Sequence, residues 1–385
     1  MKKYWDYGVL EDAVKKGSSN ISLNKVKNDE GEYPLFSAKG FNKNISFFQQ
    51  EKEYLGIIKD GAGIGRVSKH PAKSSIVATM QYLILKDGFD IGFVEYFLNG
   101  IDFEKHRNGS TIPHIYFKDY KSERFPLLEL PEQKRIVSIL DKVFSAIERS
   151  RNNAEQNLKN AKELFESYLQ GVFDPSTRSS QGGDDWVEMT LGEVCSLITD
   201  GKHGNCENED NSGYYFLSAK DIRNNTLLFD NGRQITRKDF LETHQRTDLK
   251  PGDICMINTG ATIGRISFAP NDDRTYKTTF QKSVAVIKPI RTLIDNHFCR
   301  FLLVSDVEKL VKVSSGTAVP NLLLGDLRKH KINLPKSIQE QQQIVKKLDT
   351  LSVETKKIEV VYQQKLDDLE ELKKSVLQKA FNGEL

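Results

Sequence analysis

Gly61-Ala62-Gly63-Ile64-Gly65-Arg66-Val67-Ser68 and Gly260-Ala261-Thr262-Ile263-Gly264-Arg265-Ile266-Ser267 are one eight-residue pattern written twice, 199 positions apart, in a chain of 385 residues. The likeness extends in both directions. Upstream, Ser37-Ala38-Lys39 returns as Ser218-Ala219-Lys220, and Trp5, Leu10 and Asp12 return as Trp186, Leu191 and Glu193, all 181 positions later. The second copy therefore carries 18 extra residues between these markers. Downstream, Thr79-x-Gln81 matches Thr279-x-Gln281, and Ser110-Thr111-Ile112-Pro113 matches Gly316-Thr317-Ala318-Val319-Pro320. From residue 132 the offset settles at 208: Glu132-Gln133, Ile136-Val137, Leu140-Asp141, Leu169-Gln170 and Phe173 align with Glu340-Gln341, Ile344-Val345, Leu348-Asp349, Leu377-Gln378 and Phe381. Ordered matches of this extent mean two tandem copies of one unit.

Each copy ends in a helical pattern. Residues 132–173 contain no proline and a single glycine, Gly171. Apolar or small residues fall at 136, 140, 143, 147, 150, 154, then 158, 161, 165, 168 and 172, in alternating steps of four and three with one stutter after Ala154. The partner stretch, 340–381, repeats the stripe through Tyr362, Val376 and Ala380 and is weakened at Thr355 and Lys373. At ~1.5 Å per residue each helix would run about 60 Å. Pro131 and Pro335 precede them, and Asn382-Gly383 closes the second. The narrow stripe predicts pairing of the helices through Ile136, Leu140, Val143, Ile147, Leu158 and Phe165 on the first and Ile344, Leu348, Leu351, Ile358, Leu366 and Leu369 on the second. The alternative is that each helix lies on its own domain. Residues 1–131 and 186–339 read as α+β, with β-rich runs such as Tyr54-Leu55-Gly56-Ile57-Ile58 and Val284-Ala285-Val286-Ile287 between turn clusters. The expected organisation is a domain over 1–131, a helix over 132–173, a polar, breaker-rich linker over 174–185, a domain over 186–339 and a helix in 340–385.

Composition narrows the chemistry. Hydrophobic residues make up 38% and charged residues 28%, mean hydropathy is −0.50, and 56 basic against 53 acidic residues leave a net charge of +3. Any basic surface must therefore be local. No run approaches the ~18 apolar residues of a membrane helix, and the first residues lack an apolar core of signal-peptide length. The cysteines, Cys195, Cys206, Cys255 and Cys299, form no C-x-x-C pair, so neither a disulfide framework nor a zinc site is expected, and a reducing cytoplasm is the expected location. His203 and Cys206 are close in sequence but lack neighbouring ligands and read as loop residues. There is no phosphate-binding G-x-x-x-x-G-K-[ST] loop, no Pro-Pro dipeptide for an amino-methyltransferase loop, no H-E-x-x-H, no G-x-S-x-G and no two-metal acidic cluster. With no catalytic residues and no metal ligands to assemble from spacing, the expectation is a binding protein.

The W-x(4)-L opening of each copy, the G-x-x-I-G-R turn, the [GS]-T-x-[VI]-P step and the L-P-x(n)-E-Q-x-x-I-V start of each helix resemble the specificity (S) subunit of type I restriction–modification systems, over essentially the whole chain. The resemblance implies an α+β fold with two tandem-repeated α/β target-recognition domains, each followed by a long helix. The two helices would form an antiparallel coiled-coil spacer with pseudo-two-fold symmetry. It also implies a non-catalytic subunit that reads an asymmetric bipartite target in double-stranded DNA and docks methyltransferase (modification) and restriction/translocase subunits. S-adenosylmethionine, ATP and Mg would sit on those partners, and this chain would bind no cofactor. One departure is the short start, with Trp5 close to Met1, so an N-terminal helix found in longer members is not expected. A protein-binding scaffold without DNA contact, or a DNA-modifying enzyme with an unrecognised site, are the competing readings.

The repeat sorts candidate residues by role. If the two domains read different half-sites, residues identical in both copies cannot carry the difference. Lys39/Lys220, Arg66/Arg265 and Gln81/Gln281 are therefore expected to serve the fold or to touch phosphates, which position without specifying. The G-x-x-I-G-R segment is either a glycine turn alone or a turn with a phosphate contact. Base readers belong where the copies diverge. The 18-residue excess falls in 223–246, with Arg223, Asn224, Asn225, Arg233, Gln234, Arg237, Lys238, Gln245 and Arg246. Arg suits guanine, and Asn or Gln suits adenine, in the major groove. The first copy offers Asn42, Lys43, Asn44, Gln49, Gln50 and Lys52, and Lys202, His203 and Asn205 form a weaker second group.

Overall fold

The structure is a computed structural model that describes residues 5–174, 186–223, 225–312 and 321–385. The expected linker, apart from Asp174, lies outside these residues, as do Asn224 and the second copy of the T-x-[VI]-P step. The chain forms two compact units, 1–157 with 361–385 and 158–360, so the division falls inside both long helices.

In the first unit, strands Val14–Ser18, Met80–Leu85, Tyr54–Ile58 and Val67–His70 form an antiparallel sheet in that spatial order. The run Tyr54-Leu55-Gly56-Ile57-Ile58 is apolar throughout because both sheet faces are covered. Leu55, Ile57 and Leu83 face one core with Phe93, Val94 and Phe97 of helix Ile91–Asn99. Tyr54, Ile58, Met80 and Tyr82 face a second core with Leu35, Ile45 and Ile76, which belong to a three-stranded sheet of Gly40–Ile45, Tyr33–Ser37 and Ser75–Ile76. Asp6–Val9 pairs with Arg124–Leu127, bringing both ends of the head together.

The second unit repeats this plan with Cys195–Asp200, Val284–Pro289, Ile254–Ile257 and Ile266–Phe268. Period-2 alternation again splits the central strand, with Ile254 and Met256 in one core and Cys255 and Ile257 in the other. Trp186–Thr190 pairs with Lys331–Pro335. Much of the extra sequence builds a short hairpin, Ile222–Arg223 with Thr226–Leu227, and the helix Arg237–Thr247.

The long helices are continuous over Leu130–Phe173 and Ile338–Phe381. Each begins two residues earlier than expected; in the first, Pro131 fits the first turn, where its missing N–H has no intrahelical partner to lose. In the first unit, Ile136 and Leu140 share a core with Leu377 and Ala380, and the Phe381 ring lies 5.2 Å from Phe93 and 5.3 Å from Phe97. Arg151 pairs with Glu370 at 3.1 Å, and Arg135 donates to the Leu385 carbonyl at 3.0 Å. Rising numbers on one helix thus meet falling numbers on the other, the antiparallel arrangement. In the second unit, Phe165, Leu169, Phe173, Ile344 and Leu348 join the core of Leu191 and Phe298. Both pairing and resting on a domain therefore contribute.

Fully or nearly buried positions recur every seven residues, at Leu140, Ile147, Ala154 and Ala161 and again at Gln341, Leu348 and Thr355. Val143, Leu158, Leu351, Leu366 and Leu369 are half-buried. Two expectations need correction. Ile358 is 40% exposed, while Thr355, taken as a weak point, is buried, with its hydroxyl donating to the Leu351 carbonyl at 2.9 Å. Near its C-terminus the first helix buries Leu169 and Phe173, with Val172 half-buried against the same core, and leaves Tyr168 42% exposed. There the helix packs on a head, and the head's shape selects the buried face.

Candidate nucleic-acid interface

Two segments far apart in sequence build the same surface feature in each head. In the first, the turn Ala38-Lys39 links strands Tyr33–Ser37 and Gly40–Ile45, and residues 61–66 turn between Tyr54–Ile58 and Val67–His70. Gly65 has φ +80°, and a Cβ there would lie 2.5 Å from Phe103. Its counterpart Gly264 has φ +86°, with a Cβ 2.5 Å from Val307. Only glycine meets both demands, and the tight turn sets the direction of the arginine that follows. Arg66 Nη2 donates to the Ala38 carbonyl at 3.4 Å, and Arg265 Nη1 to the Ile222 carbonyl at 3.1 Å.

The result in the first unit is an open cleft of about 410 Å³ whose lining includes Phe36, Lys39, Phe41, Arg66, Lys69 and His70. In the second unit Ala219, Lys220, Arg223, Thr262 and Arg265 line a cleft of about 520 Å³. The shared cations are 27 positions apart in one copy and 45 in the other, yet they meet in both. Lys39, Arg66, Lys220 and Arg265 are all exposed, so their charge is presented to solvent. Lys69 is paired with Glu53 at 3.0 Å and contributes less free charge. Burial pushes the His70 imidazole down to about 4, so it lines the first cleft as a neutral ring, with Ser68 Oγ 2.9 Å from Nε2. The shared glutamines do not join the clefts. Gln81 is buried within strand Met80–Leu85, and the Gln281 N–H donates to the Leu217 carbonyl at 2.9 Å.

Among the divergent candidates, Asn42 and Asn44 are exposed on one edge of their hairpin, whereas Lys43 Nζ is tied to the Val26 and Lys27 carbonyls at 3.2 and 3.1 Å. Gln49 donates to Asn20 and accepts from the Tyr82 hydroxyl. In the second head, Arg223 stands exposed at the cleft, its Nε donating to the Lys220 carbonyl at 3.2 Å. Asn225, exposed with φ +59°, forms the adjoining turn. Other residues of this region are occupied internally. Arg233 donates to Asn208 Oδ1 and the Cys206 carbonyl, Gln234 Oε1 accepts from the Gly213 N–H at 2.8 Å, and Arg246 is paired with buried Asp200. Lys202 binds Asp239 at 3.2 Å, and His203 lies 3.0 Å from Asp200. Arg237, Lys238 and Gln245 are exposed on the helix Arg237–Thr247. The inserted segment thus divides into residues that hold it and residues that face solvent.

Gln133 and Gln341, which in sequence only align the two copies, have a structural role. Both are fully buried. Gln133 Nε2 donates to the Gly88 and Leu128 carbonyls at 3.0 and 2.7 Å, and its Oε1 accepts from the Asp90 N–H at 2.8 Å. Gln341 does the same with the Leu293 and Pro335 carbonyls and the Asp295 N–H, at 3.1, 2.8 and 2.7 Å. Asp90 and Asp295 cap the short helices Ile91–Asn99 and Asn296–Ser305, so each glutamine fastens a long helix to its head. A polar residue repeated identically beside an apolar stripe was the available signal. Among the described residues no group of His, Cys, Asp and Glu could hold a metal ion, and no helix is long and apolar enough to cross a membrane.

The chain is 26% identical over 295 residues to the type I restriction enzyme EcoBI specificity subunit of Escherichia coli, covering 71% of this chain and 61% of that subunit. It is 24% identical over 377 residues to the MjaVIII specificity subunit of Methanocaldococcus jannaschii, covering 92% and 87%. A chain solved in work on complex assembly and conformational transition of the type I R-M system superposes with a TM-score of 0.76 at 17% identity, over 99% of this chain and 98% of that one. The family model for the type I restriction modification DNA specificity domain matches residues 2–156 and 183–368. That match takes in both heads, both cation clefts and both glutamine-anchored helix starts, and the chain belongs to the type I restriction modification DNA specificity family.

Proposed function

We propose that this chain is the DNA sequence-recognition subunit of a type I restriction–modification complex and reads an asymmetric bipartite double-stranded target, one half per head. The observation that carries this is the pairing of Lys39 with Arg66 and of Lys220 with Arg265 at one open cleft in each unit, with different neighbours around the shared cations. Phosphate contacts fix register, and the divergent rim specifies bases. The chain does no chemistry in this reading. Modification subunits bring S-adenosylmethionine and restriction/translocase subunits bring ATP and Mg, in the cytoplasm. Co-expression with the modification subunit, followed by sequencing of methylated sites, tests it: an asymmetric two-part motif supports the reading, and absence of any such motif overturns it.

Two substitutions separate the roles. Arg265→Glu is expected to weaken binding about equally on all sequences and to reduce the slope of log affinity against log salt by roughly one. A change confined to one half-site with an unchanged slope would instead make Arg265 a base reader. Arg223→Ala is expected to cost about 1–3 kcal/mol on the selected site and to relax only one half of the motif. Methylation mapping with the variant checks this, and an unaltered motif would remove Arg223 from the readers.

A further inference from the structure

We propose that Phe41 is a stacking wedge through which the first head reads its half-site, so the two heads recognise DNA at equivalent places by different physical means. The proposal rests on the DNA-reading function above and adds the mode of contact. Phe41 is 62% exposed, more than any other Phe, Tyr or Trp among the described residues. It lines the first cleft together with Lys39 and Arg66. A lone exposed aromatic is unremarkable on most surfaces. This one is held in place and flanked by the charges that would seat a phosphate backbone.

The strand that carries it is tied to the head. The hairpin that carries it is closed by Ser37 and Gly40, and Lys43, two residues on, is fastened to the Val26 and Lys27 carbonyls. Ile45 on the same strand is fully buried. Phe36 backs the Phe41 ring edge-on, with centroids 6.1 Å apart, and Phe36 in turn lies 4.6 Å from the His70 ring. All three rings of this row line the cleft. The second head has none of it: the residues in register are Ile222, fully buried, for Phe41, Leu217 for Phe36 and Ala269 for His70. What stands exposed there is Arg223, in register with Asn42.

Residues that differ between the copies inside a shared cleft are where half-site specificity must reside. An aromatic ring beside two cations has chemistry suited to a base step. The cations hold the backbone, and the ring stacks on a base or enters between two, favouring steps that unstack at low cost. A guanidinium in the same place would read a base edge by hydrogen bonds. The first half-site is then expected to contain a flexible pyrimidine–purine step at the position the wedge meets.

The full chain is presented with a pool of duplexes containing randomised positions, and the enriched motif is compared for wild type, Phe41→Ala and Phe41→Trp. On the wild-type motif, Phe41→Ala is expected to lose roughly ten- to hundred-fold in affinity, the loss of one stacked base. The salt slope should be unchanged, because no charge is altered. Phe41→Trp should retain most of the affinity. With 2-aminopurine walked through the first half-site, wild type and the tryptophan variant should change its fluorescence at one step, and the alanine variant should not. Equal affinity of Phe41→Ala and wild type, or an equal loss on motif and random duplexes, overturns the wedge while leaving the DNA-reading function intact. A wild-type chain that enriches no two-part motif overturns both.

Discussion

A fragment ending at residue 173 is expected to sediment as a dimer at micromolar concentration and, with the modification subunit, to direct methylation to an inverted repeat of the first half-site. The first unit is not closed by its own sequence up to 173. Leu377 and Ala380 are buried in its core, and Phe381 packs on Phe93 and Phe97. Removing 174–385 therefore opens the core and bares the apolar stripe of the first helix, a strong incentive to associate. The fragment carries the replacement itself, since Leu169 and Phe173 stand in register with Leu377 and Phe381. Antiparallel pairing of two copies lets each close the other, and such an exchange is isologous and ends at two. Both heads of that dimer are the first domain, so its target is symmetric, whereas the full chain has two different heads. A soluble monomer, or a dimer that methylates an asymmetric motif, would contradict this account.

The second large effect is expected at the glutamines that fasten the long helices. Gln341→Leu should cost about 3 kcal/mol, because it strands the Asp295 N–H and the Leu293 and Pro335 carbonyls in a buried place. Gln133→Leu should do the same in the first unit, where Asp90, Gly88 and Leu128 lose their partner. Gln341→Glu should be at least as damaging at neutral pH, since it points a carboxylate at two carbonyl oxygens. Burial would raise the folded-state pKa of that glutamate above its unfolded value, so its destabilisation should grow as the pH rises and ease as the pH falls and the acid protonates. Thermal unfolding of the full chain across pH, with hydrogen exchange at the start of helix Ile338–Phe381, measures both variants. A leucine variant as stable as wild type would mean the buried amide contributes little beyond its shape.

The repeat, the two long helices and the absence of familiar catalytic motifs are all legible in the sequence, because each is a property of order and spacing. Register along the chain even pairs Lys39 with Lys220 and Arg66 with Arg265 before any coordinates are known. Local pattern could not decide which polar residues remain available. Arg223 and Arg233 look alike in sequence, yet one faces the cleft while the other is bound to Asn208 and the Cys206 carbonyl. Arg246 likewise meets Asp200, a residue 46 positions earlier. The long helices show the same limit: period alone favoured Tyr168 and Ile358, while contact with a head buried Leu169, and Thr355 is buried with its hydroxyl satisfied by the Leu351 carbonyl. Periodicity reports which face of an element is apolar. The atoms that meet that face, and the donors and acceptors they satisfy, come from distant parts of the chain, so only tertiary structure assigns Gln133 and Gln341 to the fold and leaves Phe41 and Arg223 facing solvent.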